Sequence, residues 1–425
     1  MAQLVKTSSA QTLDALRAIV VEGNVREGAP SDNVCGVTPE LHIEPANEAE
    51  LARVLQYANQ HGIGVLPRGA GTKADWGISP KSIDLMVSTA KFSRILEHAP
   101  GDMTVTVQSG ATISHLQNAL LEHRQRLALD PLWPDRATVG GVIATNDTGA
   151  LRIRYGSVRD LIIGLTVVLP DGIIAMSGGK VVKNVAGYDL PKLMTGALGT
   201  LGFITRAVFR LHPLSESSRT LTFAFIDRER ANEFMLAITD SAVVPTGLQL
   251  RTGSTGETFV DTRIDGIAAG IEAQTNAVLK LARDAKPSEP KSDPWQAREE
   301  LWNNSDSVII CKLSMLPAQL GSTAEFAREE LSNNADWSLL MHSTGLACLR
   351  VDAPDCTQLA DFVSSIRAFL APTGGTAVLL KAPAALRQRV DVWGDPGTAL
   401  PLMKRIKHQF DPHGILNLGR FVGGI

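Results

Sequence analysis

Several classes of protein are excluded by what this sequence has little of. Lys and Arg number 41 against 44 acidic residues, for a net charge of −3, so there is no broad positive field to draw nucleic acid or an anionic membrane. No uncharged apolar run reaches the length of about 18 residues that a membrane helix needs. Met1 to Val20 carries no basic stretch followed by a long apolar one. A soluble, cytoplasmic protein is expected, with any membrane association coming through partner subunits. Cysteine is scarce: Cys35, Cys311, Cys348 and Cys356 lie far apart with no Cys-x-x-Cys spacing, which suggests neither a zinc site nor a disulfide framework. Reduced, mostly buried thiols are the expectation.

What is present is an ordinary globular composition, 44% hydrophobic and 20% charged, over 425 residues. That length suits two or three domains, two being the simpler arrangement. Pro45-Ala46-Asn47-Glu48 opens a helix in which Leu51, Val54, Leu55 and Ala58 share a face, and Gly62 stops it. Ile63 to Leu66 reads as a buried strand. Strands are expected at Ser82–Val87 and Thr104–Val107, with a helix from Thr112 to Glu122 between that second strand and the glycine-rich stretch. After Leu214 the texture changes. Strands near Thr220–Phe225, Val308–Leu313 and Ala347–Val351 alternate with helices near Ile267–Arg283, Ala318–Leu331 and Cys356–Leu370. Asp284 to Asp293 reads as an exposed loop.

Between Gly140 and Gly202 stand 12 of the 37 glycines, about twice an even spread, which implies repeated close approach of backbone to something. Upstream, Pro67-Arg68-Gly69-Ala70-Gly71-Thr72 follows a strand, so successive amides can converge on an anion such as a pyrophosphate. Arg68, Thr72 and Lys73 add donors, with no acid until Asp75. Gly69 to Ala74 also satisfies a Rossmann-like Gly-x-Gly-x-x-Ala. Gly77 and Pro80 argue against the helix that a Rossmann loop must open. In Pro134 to Gly149, Thr138, Thr145 and Asn146 stand beside glycines, suited to a polar ligand lying on bare backbone, though taken alone this segment is better explained as a tight turn entering a short helix. Leu161 to Ile174 reads as a hairpin around Pro170-Asp171-Gly172. Arg159 and Asp160 read as a structural ion pair.

In order and spacing, PRGAGT, ATVGGVIATNDTG, RYGSVRDLIIGLTVVLPDG and GGKVVKNVAGYDLPKLMTGALGTLGFIT resemble the FAD domain of the vanillyl-alcohol oxidase and p-cresol methylhydroxylase (PCMH) family. The resemblance covers about residues 35–212, and FDPHGILNLGRF at 410–421 is similar to that family's closing motif. It implies an α+β fold: a two-part FAD-binding PCMH-type domain over 1–213, an α+β cap over 214–399, and a C-terminal segment, 400–425, returning to the first domain. It further implies that Arg68, Gly69, Ala70, Gly71 and Thr72 bind the pyrophosphate. Thr138, Gly140, Gly141, Ala144, Thr145, Gly149 and Tyr155 would line the FAD, Gly202 and Ile204 would lie on its adenine side, and Asn417 would reach the flavin. The first loop offers no His, and no Cys falls between Cys35 and Cys311, so non-covalent FAD is expected unless a cap residue such as His342 makes a bond.

Within the family, Lys183 to Asp189 and Leu198 to Gly202 most resemble the smaller FAD-binding subunits of bacterial glycolate oxidases. That resemblance implies oxidation of glycolate to glyoxylate through flavin, with a larger catalytic flavin subunit and an iron–sulfur subunit as partners. Two other readings stand beside it: a self-sufficient FAD-dependent alcohol or D-2-hydroxy-acid dehydrogenase, and a non-redox scaffold stabilised by FAD. The His-x-Gly-x-Gly-Asn-x-His cluster of larger relatives is absent, so no metal site is expected and no catalytic base is assigned. Arg350, Lys381 and Arg389 are the cap's candidates for holding a substrate carboxylate. His42, His408 and His413 read as packing or surface residues.

Overall fold

Local chemistry fixes the first elements. Asn47 caps the helix Glu48–His61 by accepting the Glu50 amide at 3.0 Å, and Gly62, at φ 63°, closes it. Leu51, Val54, Leu55 and Ala58 are its buried face. They pack on the strands Leu41–Ile43, Val65–Arg68 and Leu85–Ser88 in one core cluster. The computed structural model describes residues 9–425 except 22, 181–187, 284, 289, 291, 304–307, 332–334 and 354. Lys183 to Gly187 of the motif above therefore lie outside the described residues.

The chain divides into two compact units, Met1–Asp147 with Ser157–Pro213 and Asp395–Ile425, and Thr148–Gly156 with Leu214–Gly394. The sequence reading had kept 148–156 in the first domain and had begun the returning segment at 400.

The first unit holds β1 (Val25–Glu27), β2 (Leu41–Ile43), β3 (Val65–Arg68) and β4 (Leu85–Ser88), ordered β1-β2-β4-β3. β2, β4 and β3 run parallel, and β1 is antiparallel to β2. Its second sheet is antiparallel: β5 (Ile95–Ala99), β6 (Thr104–Gln108), β8 (Ile162–Val168), β9 (Ile174–Gly178) and β10 (Phe203–Arg210), ordered β5-β6-β10-β8-β9. The two-residue β7 (Gln125–Arg126) pairs with β11 (His212–Pro213). The expected hairpin is β8–β9, closed by the Gly172 amide donating to Leu169 O.

No ion pair between Arg159 and Asp160 is seen among the contacts of the described residues. Asp160 caps its own short helix by accepting the Ser157 amide at 2.7 Å, and Arg159 donates to Thr195 O at 3.1 Å. Backbone groups at a helix start and a turn outcompete a neighbouring charge that projects the other way.

The second unit is one eight-stranded antiparallel sheet. Its strands are β12 (Ser217–Phe225), β13 (Gly247–Gly253), β14 (Thr258–Gly266), β15 (Pro287–Ser288), β16 (Val308–Ser314), β17 (Asp336–His342), β18 (Leu346–Asp352) and β19 (Thr376–Lys381), ordered β15-β12-β14-β13-β17-β18-β16-β19. Helices Arg228–Thr239, Ala268–Leu281, Leu320–Glu330 and Cys356–Leu370 pack with it. The stretch read as an exposed loop contributes β15, where Pro287 and Ser288 pair with Phe223 and Thr222; a sheet edge tolerates the proline. Cys311 and Cys348 are buried, whereas Cys35 and Cys356 are half-buried; burial pushes the Cys311 thiol up to about 12. No helix among the described residues is long and apolar enough to cross a membrane.

Candidate functional site

β3 delivers the chain into the turn Gly69–Ala74, and the turn works only because two of its residues lack side chains. A Cβ on Gly69 would meet Thr138 Oγ1 at 2.1 Å, and Gly71, at φ 77°, lies over the Arg68 guanidinium. The amides of Gly69, Ala70, Gly71 and Thr72 have no hydrogen-bond partner among the described residues, whereas the Ala74 amide donates back to Gly71 O. Four successive open donors form a concave anion receptor.

Thr138 opens the facing helix, Val139–Thr145, its hydroxyl accepting the Gly141 amide at 3.3 Å. Here the sequence expectation of bare amides is corrected. Gly140 donates to Ser109 O at 2.7 Å and Val139 to Ala111 O, so this helix start is already satisfied. The glycines serve close approach instead: a Cβ on Gly140 would stand 2.9 Å from Ser109 Cβ. Of the two glycine clusters, the first loop is therefore the one that keeps open amides.

The C-terminal segment completes the floor. Val65 donates to Ile415 O and Asn417 to Val65 O, at 2.7 and 2.8 Å, so residues 415–417 run along the free edge of β3. Asn417 Nδ2 donates to Leu198 O at 2.6 Å, while its Oδ1 is buried without a partner. Lys407, pushed below the usual ammonium range by burial, donates to Asp411 Oδ2 at 2.6 Å, Thr200 O at 2.8 Å and Leu416 O at 2.9 Å. Asp411 in turn accepts the Ile415 and Leu416 amides. Arg420 donates to the carbonyls of Ala74, Trp76 and Ile78, tying the loop's far side to the same segment.

These elements line a cleft that is open to solvent, with about 780 Å³ of empty space including that solvent. Arg68, Gly69, Ala70, Gly71, Thr72, Thr138, Gly140, Gly141, Ala144, Thr145, Gly202, Ile204 and Asn417 all line it. Gly149 and Tyr155 do not; they belong to Thr148–Gly156, which groups with the second unit. Sequence reasoning missed Thr89, Leu198, Gly199 and Arg420 as lining residues. Thr89 follows β4, the strand beside β3, and its hydroxyl is buried without a partner.

Each cation in the lining is held by a protein acceptor. Arg68 turns back to Asp32 Oδ1 at 3.5 Å and Ser31 O at 3.3 Å. Arg26 also pairs with Asp32, and the carboxyl is held well below its ordinary range. Lys73 lies 3.2 Å from Asp147 Oδ2, its ammonium between the rings of Trp76 and Trp133 at 5.9 and 5.7 Å. The sequence showed no acid in the loop before Asp75; folding brings Asp32 and Asp147 to it. The cleft thus offers open amides for a diphosphate, with unpartnered Thr89 Oγ1 and Asn417 Oδ1 for the hydrogen-bonding edges of a heterocycle. A flavin dinucleotide fits that donor and acceptor set.

Residues 39–177 match the family described as FAD binding domain. The glycolate oxidase subunit GlcD of Bacillus subtilis is 31% identical over 272 residues, 64% of this chain and 57% of that protein. The chain thus spans little more than half the length of that relative. A probable mitochondrial D-lactate dehydrogenase of Danio rerio is 25% identical over 90% of this chain and 84% of its own. Among solved structures, p-cresol methylhydroxylase with substrate bound superposes with a TM-score of 0.76 at 15% identity, covering 98% of this chain and 97% of that one. That likeness gives the fold.

Proposed function

We propose, on the premise that residues 39–177 of this chain are an FAD binding domain of the PCMH type and that FAD is its cofactor, that the protein takes part in oxidising a small 2-hydroxy acid, glycolate being the leading candidate. The reading includes non-covalent FAD and service as the flavin-binding subunit of a larger complex. The observation that carries it is the run of four unpartnered amides from Gly69 to Thr72 at the mouth of a cleft closed by Asn417. The substrate class is supported by the relatives named for glycolate and D-lactate.

Bound FAD would accept a hydride from the carbon bearing the hydroxyl. The chain's own part is to hold and to exclude. The Gly69–Thr72 amides bind the anionic centre without a reorganising side chain. Leu66, Leu198 and Phe203 keep water from the cleft wall. Asn417, fixed through both its own amide and its Nδ2, presents a carboxamide oxygen that would accept a hydrogen bond from the bound FAD.

A self-sufficient D-2-hydroxy-acid dehydrogenase is the second reading, favoured by the near full-length match to a protein named for D-lactate. A visible spectrum of the purified chain before and after acid precipitation tests the cofactor and its attachment: flavin released to the supernatant is expected. Anaerobic addition of glycolate or D-lactate then separates the rest. Bleaching of the chain alone favours the second reading, bleaching only alongside partner subunits favours the first, and no bleaching under either condition overturns both.

A further inference from the structure

An open sheet has two outer strands, and folded proteins guard them because an unpaired edge takes on strands from other chains. Here the guards can be read edge by edge. β1 carries Arg26 and Glu27, and the outer side of β3 is occupied by Ile415 to Asn417. β5 holds Glu97 and a bulge between Ile95 and Glu97. In the second unit β15 contains Pro287, while β19 is bulged where it pairs with Ile310 and Cys311 and ends in Lys381. The pair β7 and β11 is two residues long.

β9 has none of these guards. It is the outer strand beside β8, its register is unbroken from Ile174 to Gly178, and it contains no charge and no proline. Its exposed side chains are apolar: Met176 is 73% exposed and Ile174 41%, with Ile173 exposed just before them. The ladder decides which backbone groups are spare. Gly179 donates to Ile163 O and Leu169 to Ile173 O, so the odd-numbered residues bond to β8, and the N–H and C=O groups of Ile174, Met176 and Gly178 point away from it. Among the described residues no strand pairs with that side. Gly178, at φ 78°, then turns the chain over Gly164, whose Cβ would meet Gly179 N at 3.2 Å, and Lys180 reaches Glu97 on β5. The chain thus leaves over the sheet, away from the open edge.

We propose that β9 is the docking surface for a second copy of this chain, the two strands pairing antiparallel about a two-fold axis at Met176 and joining two five-stranded sheets into one. The strand is complementary to itself. In that register the spare groups of Met176 meet those of the copy's Met176, and Ile174 stands opposite Gly178 at either end. Glycine leaves room for the isoleucine, and the unbranched methionine can adapt to its twin. No charge lies along the strand, so pairing buries none and calls for no acidic or basic partner. The surface is separate from the FAD cleft, none of whose lining residues belongs to β9.

The test is sedimentation velocity on the FAD-loaded full chain over a range of protein concentrations. A species of twice the chain mass is expected to form, and Met176→Lys, which sets like charges face to face at the axis, is expected to return it to the monomer with FAD content unchanged. Ile226→Lys, at a still more exposed apolar position in the second unit, is expected to stay dimeric. Hydrogen exchange reports the register without any variant: the amides of Ile174, Met176 and Gly178 are expected to slow as the dimer forms. A chain that is monomeric throughout overturns the proposal, as does a dimer that survives Met176→Lys or one in which those three amides keep their monomer rates. Met176-dependent binding of a different subunit by a monomeric chain assigns the edge to that subunit and overturns the self-pairing.

Discussion

Gly69 and Thr138 stand so close that a single methyl group cannot fit between them: a Cβ on Gly69 would lie 2.1 Å from Thr138 Oγ1. Thr138 is also the residue that caps the facing helix, so relieving the clash displaces either the open amides or the cap. Gly69→Ala is expected to lower the FAD-to-protein ratio at least about tenfold, read from flavin absorbance of the purified protein. Gly101→Ala, where nothing lies within 4 Å, is the control and is expected to retain its flavin.

Arg68, expected from the resemblance to bind the pyrophosphate, is predicted to act mainly by shaping the loop. Its guanidinium is turned to Asp32 and Ser31 beneath Gly71. Arg68→Met is expected to weaken FAD binding through a looser loop while leaving the slope of log Kd against log salt unchanged, because exposed charge contacts are the ones that salt screens. A shallower slope in the variant would mean that Arg68 touches phosphate directly.

Removing Lys407 leaves the Asp411 carboxylate buried with its two amide donors but no cation. Breaking a buried pair in this way costs about 3–5 kcal/mol. Lys407→Met is expected to lower the denaturation midpoint in urea accordingly and to reduce FAD affinity, since Leu416 loses its tie beside Asn417. Stability unchanged by the substitution would refute the clamp.

The buried His342 gives a pH signature. Its folded-state pKa, about 3, lies below the unfolded value of about 6.5, so between these limits the unfolded chain binds a proton that the folded chain refuses. The associated stability is complete above pH 6.5 and is lost as pH falls towards 3, by at most about 1.4 kcal/mol per unit. Urea titrations from pH 7 to 4 are expected to show a decline that His342→Gln flattens. Parallel declines in both proteins would show that another group is responsible.

Much of the fold was legible because its signals are local. Asn47 and Gly62 bracket a helix by their own conformations, Cys356 to Leu370 shows its apolar stripe, and Pro170-Asp171-Gly172 announces a hairpin. The first loop was legible for the same reason, since two glycines after a strand leave amides with few alternatives. What could not be read depends on partners distant in sequence. The backbone at Gly140 looked bare until Ser109 supplied an acceptor for its amide, and Arg68 looked free until Asp32 arrived. Pro287 and Ser288 form a strand only because β12 offers them an edge. Gly149 and Tyr155 carry the right residue types beside the right motif, yet their segment packs with the second unit. His342 Nδ1 is buried without a hydrogen-bond partner, and nothing in the sequence signals it, because burial is decided by what covers a residue.

The edge of β3 that Ile415 and Asn417 occupy has a temporal meaning as well. During synthesis, β3 and its glycine turn emerge long before their last neighbour, and the whole second unit must be made in between. Contacts of that span close slowly and late. Until then the turn has no floor, so flavin capture belongs to the end of folding, and a chain stalled within the second unit is born colourless.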